Sequence, residues 1–559
     1  MTDSDKLKPE KDWNAMIYLA GDNNLADECV FALKELRRAR PRRRDNNHTS
    51  ASDHAIDSRV KVVAQLDAGG LGGDEVRYIL KRGDEDGKLD DNAISKVDTT
   101  QTFYRGVLKD FISSSIVKDG LAQHYLLVLS GHGNGLISDF LSRDVDTPDK
   151  LSIPKIQWVL REVKKEVVKN FPNNVDEEKF KIDVLGLDSC MMSMAEIGYE
   201  LRHYVNFMVG AEGFEPNSGW PYERILSDIL TNPNIQPDDL VVKIVDRYVN
   251  YYKDFLPAAR SVDLSACDLS RCGDLASALK ELADVLYDKI SESETMRQII
   301  LAHWEAQTYK DDQYADLYDF CDLLDQGPSE NPNAPVTGSV VMKGLSVDDR
   351  IRTGCKKVKT ILTGNGKNGG DPKKPLVIRS RHSGPAVQYS RGLSVYFPWS
   401  NVIDSYEDLE FANDTNWRRF LLKYVEVTRR IRRPCPSDLK QVQVVDSELF
   451  FNPVSAGFDF ILSENKNAPT VNKVLGNKVG SMKNPPLDHV VCCPEKKETP
   501  AQTTKGAEPP ESEETEWPEG IATTETGKTN GKPSAAPSGD PSVVSSGVGT
   551  SPRPPGRKK

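Results

Sequence analysis

The sequence predicts an α/β fold in which a mainly parallel β-sheet is covered by helices on both faces. Three observations carry this reading. Short runs rich in β-branched and aliphatic residues alternate with amphipathic runs at helical spacing. The apolar runs are continuous, as in strands buried on both faces. Several of them end in polar or Gly-containing turns, which is where open α/β sheets build their sites.

The elements follow in order. WNAMIYLAGDNN (Trp13 to Asn24) is an apolar strand ending in a polar turn, followed by a helical run through Ala26 to Ala39. SRVKVVAQLD (Ser58 to Asp67) is the next strand, and VRYILKRG (Val76 to Gly83) reads as its hairpin partner. HYLLVLSGHGNG (His124 to Gly135) is an apolar strand closing in a Gly-rich turn, and a helix is expected near Lys155 to Lys169. KIDVLGL (Lys181 to Leu187) reads as a buried parallel strand. Met191, Met194, Ala195, Ile197 and Leu201 then recur at helical spacing, and VNFMVGAEGF (Val205 to Phe214) is a further strand. Beyond it lie helical stretches, the strand-like ARSVDLSACDLS (Ala259 to Ser270) and a helix from Cys272 to about Ile290. YADLYDFCDLLD (Tyr314 to Asp325) is amphipathic, with Asp316 and Asp319 read as its polar face. A polar, Gly- and Pro-rich insertion precedes the strand QYSRGLSVYFPWS (Gln388 to Ser400), and Tyr406 to Tyr424 is helical.

Composition bounds the function. With 559 residues the chain exceeds one ordinary domain, and from about Glu464 onward Pro, Ser, Thr, Gly, Lys and Glu dominate, too polar to fold alone. The net charge of −11, with acid and base well mixed, argues against general nucleic-acid binding. RRARPRRRDNNHTSASDH (Arg37 to His54) could bind phosphate, but no aromatic interleaving accompanies it, and a solvated insertion is the simpler reading. No apolar run reaches the length of a membrane span, and the start MTDSDKLKPEKDW is charged, so the cytoplasm is the expected address. The nine cysteines show neither CxxC pairs nor metal-ligand spacing and are expected to be reduced thiols.

Two strand ends carry chemistry. Cys190 stands where an apolar strand opens onto a helical pattern, and a helix N-terminus there would favour the thiolate. The competing reading is a small buried thiol, the commoner fate of free cysteine. His132 stands at the mouth of the SGHGNG turn; alone it would be a local hydrogen-bonder. Together the two are what thiol catalysis needs: an imidazole that takes the thiol proton and later protonates the leaving amine.

WNAMIYLAGDNNL, LLVLSGHGNG, LGLDSCMMSMAEIGYEL, VGAEGFEPNSGWPYERIL, YADLYDFCDLL and GLSVYFPWS, in this order, resemble the clostripain family of caspase-like cysteine peptidases, over roughly Asp12 to Tyr424. The resemblance implies a caspase-like α/β/α sandwich, a Cys190–His132 dyad, and an oxyanion site formed by the backbone N–H groups of Gly133 and Cys190. It also implies that Asp188, two residues before the cysteine, lines a pocket for Arg or Lys; the alternative is that Asp188 caps the following helix. A second acidic pocket residue is expected in AEGFEPNSGW, with Glu212 and Glu215 as candidates.

The organisation expected on this basis is a flexible 1–11, a peptidase region 12–430 (core about 12–270, C-terminal part about 271–430), a small addition 431–463 and a disordered tail 464–559. The expected substrates are proteins or peptides with Arg or Lys before the scissile bond; nucleic acid and membrane are not expected partners, and regulatory proteins are allowed. Calcium is allowed by acidic loops, none with EF-hand spacing, and no cofactor is required. Processing is expected in LSRDVDTPDK (Leu141 to Lys150), at Arg143 or Lys150. The competing functions are a catalytically silent scaffold and a nucleic-acid-associated module.

Overall fold

The computed structural model describes residues 9, 11–41, 59–67, 75–79, 93–97, 104–118, 120–136, 140–141, 151–253, 261–310, 312–325, 347–364, 374–430, 451–454 and 457–460. Of the expected flexible 1–11, Pro9 and Lys11 are described, and Lys11 opens the first strand instead; the rest of that segment, most of the Arg-rich insertion, both processing candidates and the tail from 464 lie outside the described residues.

The strands of the main sheet are β1 (Lys11–Ala20), β2 (Val60–Asp67), β3 (Glu75–Ile79), β4 (Ala93–Val97), β5 (Ala122–Ser130), β6 (Ile182–Asp188), β7 (Val205–Gly210) and β8 (Val262–Asp268). Its ninth strand is Val377–Ser383, β11 in chain order after β9 (Thr308–Tyr309) and β10 (Tyr314–Asp316). The spatial order is β11-β8-β7-β6-β5-β1-β2-β3-β4. The five central strands β7 to β2 run parallel, and the outer pairings on both sides are antiparallel. The α/β class with a mainly parallel sheet is thus as expected.

Each strand feeds two cores by alternation. On β1, Met16, Tyr18 and Ala20 face one core, while Trp13, Ala15, Ile17 and Leu19 face the other. The second face is covered by α1 (Ala26–Arg38) and by helices Tyr222–Thr231 and Pro237–Tyr252. The first is covered by helices that include Tyr104–Val117, Ile153–Asn170 and Cys272–Lys289. Burying each aliphatic side chain contributes roughly 1.5–3 kcal/mol. A one-residue slip would move every such side chain to the wrong face, so the register that aligns the strand ends is firmly held.

Several expectations are corrected. The helix after Cys190 spans only Ala195–Leu201, because residues 191–193 first run beside the β7 loop: Met191 N–H donates to Gly213 O at 2.9 Å and Ser193 N–H to Ala211 O at 2.8 Å. β7 ends at Gly210, leaving 211–221 as loop. Tyr314–Asp316 is a strand, and Asp316 is fully buried instead of lying on a polar helix face. The Gly- and Pro-rich insertion contains a helix, Asp349–Thr363, as well as β11. The strand in QYSRGLSVYFPWS is short, β12 (Ser394–Tyr396), and joins β10 and β9 in a separate sheet. The helical run near 406–424 breaks into three pieces, with Asn416 at φ +56° before Trp417–Arg430. Within the expected addition 431–463, β13 (Phe451–Val454) pairs with β14 (Gly457–Phe460).

Candidate active site

Strand register builds the site. Ser130 of β5 is the register partner of Asp188 of β6. His132 and Cys190 each follow two residues later, so both emerge at the same edge of the sheet. The two turns are locked together by close backbone approach: a Cβ at Gly133 would lie 2.5 Å from Cys190 O and 2.8 Å from Ser189 Cβ, so a side chain there would wedge them apart. Ser189 Oγ donates to Gly131 O at 2.8 Å, adding a second tie.

His132 is oriented by a third strand end. Its Nε2 is 2.6 Å from Asn24 Oδ1, in the turn after β1, the strand neighbouring β5. The amide oxygen only accepts, so Nε2 carries the proton in this arrangement and proton acceptance falls to Nδ1. Asn23 shapes the turn: its Oδ1 accepts Leu25 N–H at 2.8 Å and its Nδ2 donates to Ala20 O at 3.1 Å. The sequence reading placed the turn but assigned Asn24 no role.

Cys190 is half-buried, and its thiol meets the backbone of Glu215, whose N–H donates to Sγ at 3.2 Å. The expected helix N-terminus is absent from the thiol, because the helix starts at Ala195, five residues on. Burial pushes the Cys190 thiol up, the Glu215 N–H opposes this, and the Asp188 charge adds to it. The same burial disfavours the thiolate.

Beside it opens a cleft, continuous with solvent, lined by Cys190, His132, Asp188, the loop 215–219, Tyr222 and one face of α1. Asp188 lies at its buried end. Asp188 Oδ2 accepts from Ser130 Oγ at 2.8 Å and from Tyr222 OH at 2.5 Å, so Asp188 does not cap the following helix. Gly219, at φ +64°, passes so close that a Cβ would sit 2.9 Å from Asp188 Oδ2. Burial raises the Asp188 carboxyl, against hydrogen bonds from Tyr222, Glu215 and Ser130. Glu215 is raised further, by burial and then by the charge of Asp188. Two carboxyls in contact hold one proton between them, with Glu215 as the donor.

Of the two glutamates expected in this loop, Glu215 lines the cleft and Glu212 does not. Glu212 is fully buried on the other side of the loop. Its Oε2 accepts Gly392 N–H at 2.6 Å, and its carboxyl meets that of Asp316. Asp263 accepts the N–H groups of Glu212 and Gly213 at 2.7 and 3.0 Å. These acids tie the β7 loop to the segment before β12.

The sequence profile of the Clostripain family matches residues 17–421, more than half of the chain. The chain belongs to the clostripain family. This clostripain-family chain is therefore a cysteine peptidase, and its substrates are proteins or peptides. No curated protein matches its sequence. Its structure is similar to that of a secreted C11 cysteine protease from Bacteroides thetaiotaomicron in complex with an irreversible peptide inhibitor, at 14% identity, 73% coverage of this chain, 99% of that one, and TM-score 0.49. It is also similar to an inactive zymogen C11 protease from Parabacteroides distasonis, at 16% identity, 73% and 99% coverage and TM-score 0.46.

The α1 residues Leu25, Glu28, Cys29 and Ala32 line the cleft of this clostripain-family chain without any local motif to announce them. Among the described residues, no group of three or more His, Cys, Asp or Glu side chains is placed to hold a metal ion, and no helix is long and apolar enough to cross a membrane. Arg143 and Lys150 lie outside the described residues.

Proposed function

We propose that the chain is an endopeptidase that cleaves after Arg, with Lys accepted, through Cys190 and His132. The observation that carries this reading is a single cleft joining the half-buried thiol, the histidine turn and the buried Asp188–Glu215 carboxyl pair. His132 takes the thiol proton, Sγ attacks the carbonyl carbon, and the tetrahedral oxyanion is met by the N–H groups of Gly133 and Cys190. The imidazolium then protonates the leaving amine, and water hydrolyses the thioester. A guanidinium entering the cleft supplies the counter-charge that the acid pair lacks, so one more proton leaves the pair.

Activation by cleavage within 142–150, at Arg143 or Lys150, belongs to the same proposal. The ends of that segment support it. Phe140 N–H donates to Leu151 O at 3.0 Å, and Leu141 N–H donates to His132 O at 2.8 Å. Both flanks are buried and paired with each other, so a cut between them would leave β5 and the following helix in place.

The test is Cys190→Ala beside wild type in a positional peptide library, with the chain followed by mass spectrometry. Wild type should cleave after Arg and Lys and be cut within 142–150. The variant should stay folded and uncut, with activity at least about 10⁴-fold lower. Cleavage by folded Cys190→Ala would sink the mechanism, and a library profile led by uncharged residues would sink the substrate assignment.

A further inference from the structure

The inner end of the cleft has little hydrogen-bonding capacity left for a cationic side chain. Asp188 Oδ2 already accepts from Ser130 and Tyr222, Asp188 also accepts the Trp220 backbone N–H, and Glu215 Oε1 accepts from Trp220 Nε1 at 3.4 Å, which leaves Glu215 Oε2 as the acceptor without a partner among the described residues. A guanidinium brings five N–H donors in a fixed fork, more than this pair can satisfy.

The α1 wall of the cleft holds a further acceptor. Glu28 lies on α1 three residues after Leu25 and four before Ala32, on the stripe that faces the cleft. It is half-buried, and among the described residues its carboxylate has no hydrogen-bond donor and no cationic partner. Nothing in the packing of α1 uses the group. Leu25, Cys29, Ala32, Leu33 and Leu36 seat the helix on the sheet without it.

We propose that Glu28 is a specificity residue of this cleft. It takes guanidinium N–H donors from the α1 side of the cleft while Asp188 and Glu215 take others from the strand-end side, so that acceptors from separate elements share the cation. The inference rests on the reading of the cleft as the pocket for the residue before the scissile bond. Acceptance by separate elements suits the planar fork of arginine better than the point charge of lysine.

The test compares full-length wild type, Glu28→Gln and Glu28→Asp on peptides that differ only in Arg, Lys or citrulline before the scissile bond. Citrulline keeps the shape of arginine without its charge. Glu28→Gln should raise KM for the Arg peptide about three- to tenfold with kcat little changed, and leave KM for the citrulline peptide as it was. Glu28→Asp should recover part of the loss. The rate of Cys190 alkylation by iodoacetamide, which carries no charge, should be the same in all three. An unchanged KM for Arg in Glu28→Gln, or an equal loss on Arg and citrulline, overturns the role of Glu28. Wild type that does not distinguish Arg from citrulline overturns the pocket reading itself.

Discussion

The loop 211–221 carries two pairs of buried acids, one on each side, and they differ in access rather than in chemistry. Asp188 and Glu215 share a proton at the end of a cleft that also holds Cys190. Glu212 and Asp316 share a proton in a sealed site, where the adjacent N–H groups of Gly392 and Arg391 donate to them at 2.6 and 2.5 Å. In both pairs burial is the first cause of the raised carboxyls, and Asp316 is pushed up to about 7. A raised carboxyl therefore does not separate binding from structure in this protein. Capacity to admit a cation does, because the sealed pair is met by backbone donors and the open pair by a cleft.

The comparison is broken most directly at Asp188. Asp188→Asn should lower kcat/KM on Arg peptides by about 10²–10³-fold, since a buried guanidinium would lose its ionised partner. Its thermal stability should fall as well, because Asn Oδ1 still accepts from Ser130 and Tyr222 but Nδ2 cannot accept the Trp220 N–H; a cleavage profile measured on the folded variant separates the two effects. Wild-type kinetics in this variant would place recognition elsewhere.

Next in size is the sealed pair. Glu212→Ala should cost about 2–3 kcal/mol of unfolding free energy by leaving the buried Gly392 N–H without its acceptor, while the preference among Arg, Lys and citrulline peptides stays as in wild type. Glu212→Gln keeps an acceptor for Gly392 and a donor for Asp316. The sign of its pH effect follows from the raised carboxyls: the folded state binds more protons than the unfolded one, so wild-type stability falls as pH rises from the ordinary carboxylate range through about 7, where Asp316 titrates. Denaturant midpoints for Glu212→Gln should show a shallower fall over that window, and a slope equal to wild type would contradict the shared proton.

The smallest effect is the proton released at the open pair. Both of its carboxyls are raised, and a bound guanidinium favours their ionised form. The ratio of kcat/KM for Arg over citrulline peptides should therefore climb with pH by at most about one log unit per pH unit. Taking the ratio removes the titration of Cys190 and His132, which both substrates share. A ratio flat with pH would mean that the pair does not take part in binding.

Much of this was legible in the chain. The continuous apolar runs give β1, β2, β5 and β6 nearly to the residue, because burial on both faces leaves no other use for them. The prediction for the segment after Cys190 was less good. Met191 to Leu201 has helical spacing, yet the first residues of that run bond across to Ala211 and Gly213, and tertiary hydrogen bonds outweigh a local period. Asp316 reads as a polar helix face for the same reason: its spacing is local, whereas its partners, Glu212 and Arg391, are about a hundred and eighty residues apart in sequence from one another.

What the sequence determined by itself was the fold class, the family motifs, and the types of side chain at two strand ends. These depend on neighbours within a few residues, which any stretch of chain carries with it. The tertiary structure alone decided which carboxyls face a cleft and which are sealed, that Asn24 reaches His132, and that Glu28 lines the same cleft as Asp188. The reason is register: the pairing of Ser130 with Asp188, and of β1 with β5, brings together groups far apart in the chain through hydrogen bonds between strands, and no local pattern records which strand ends will meet.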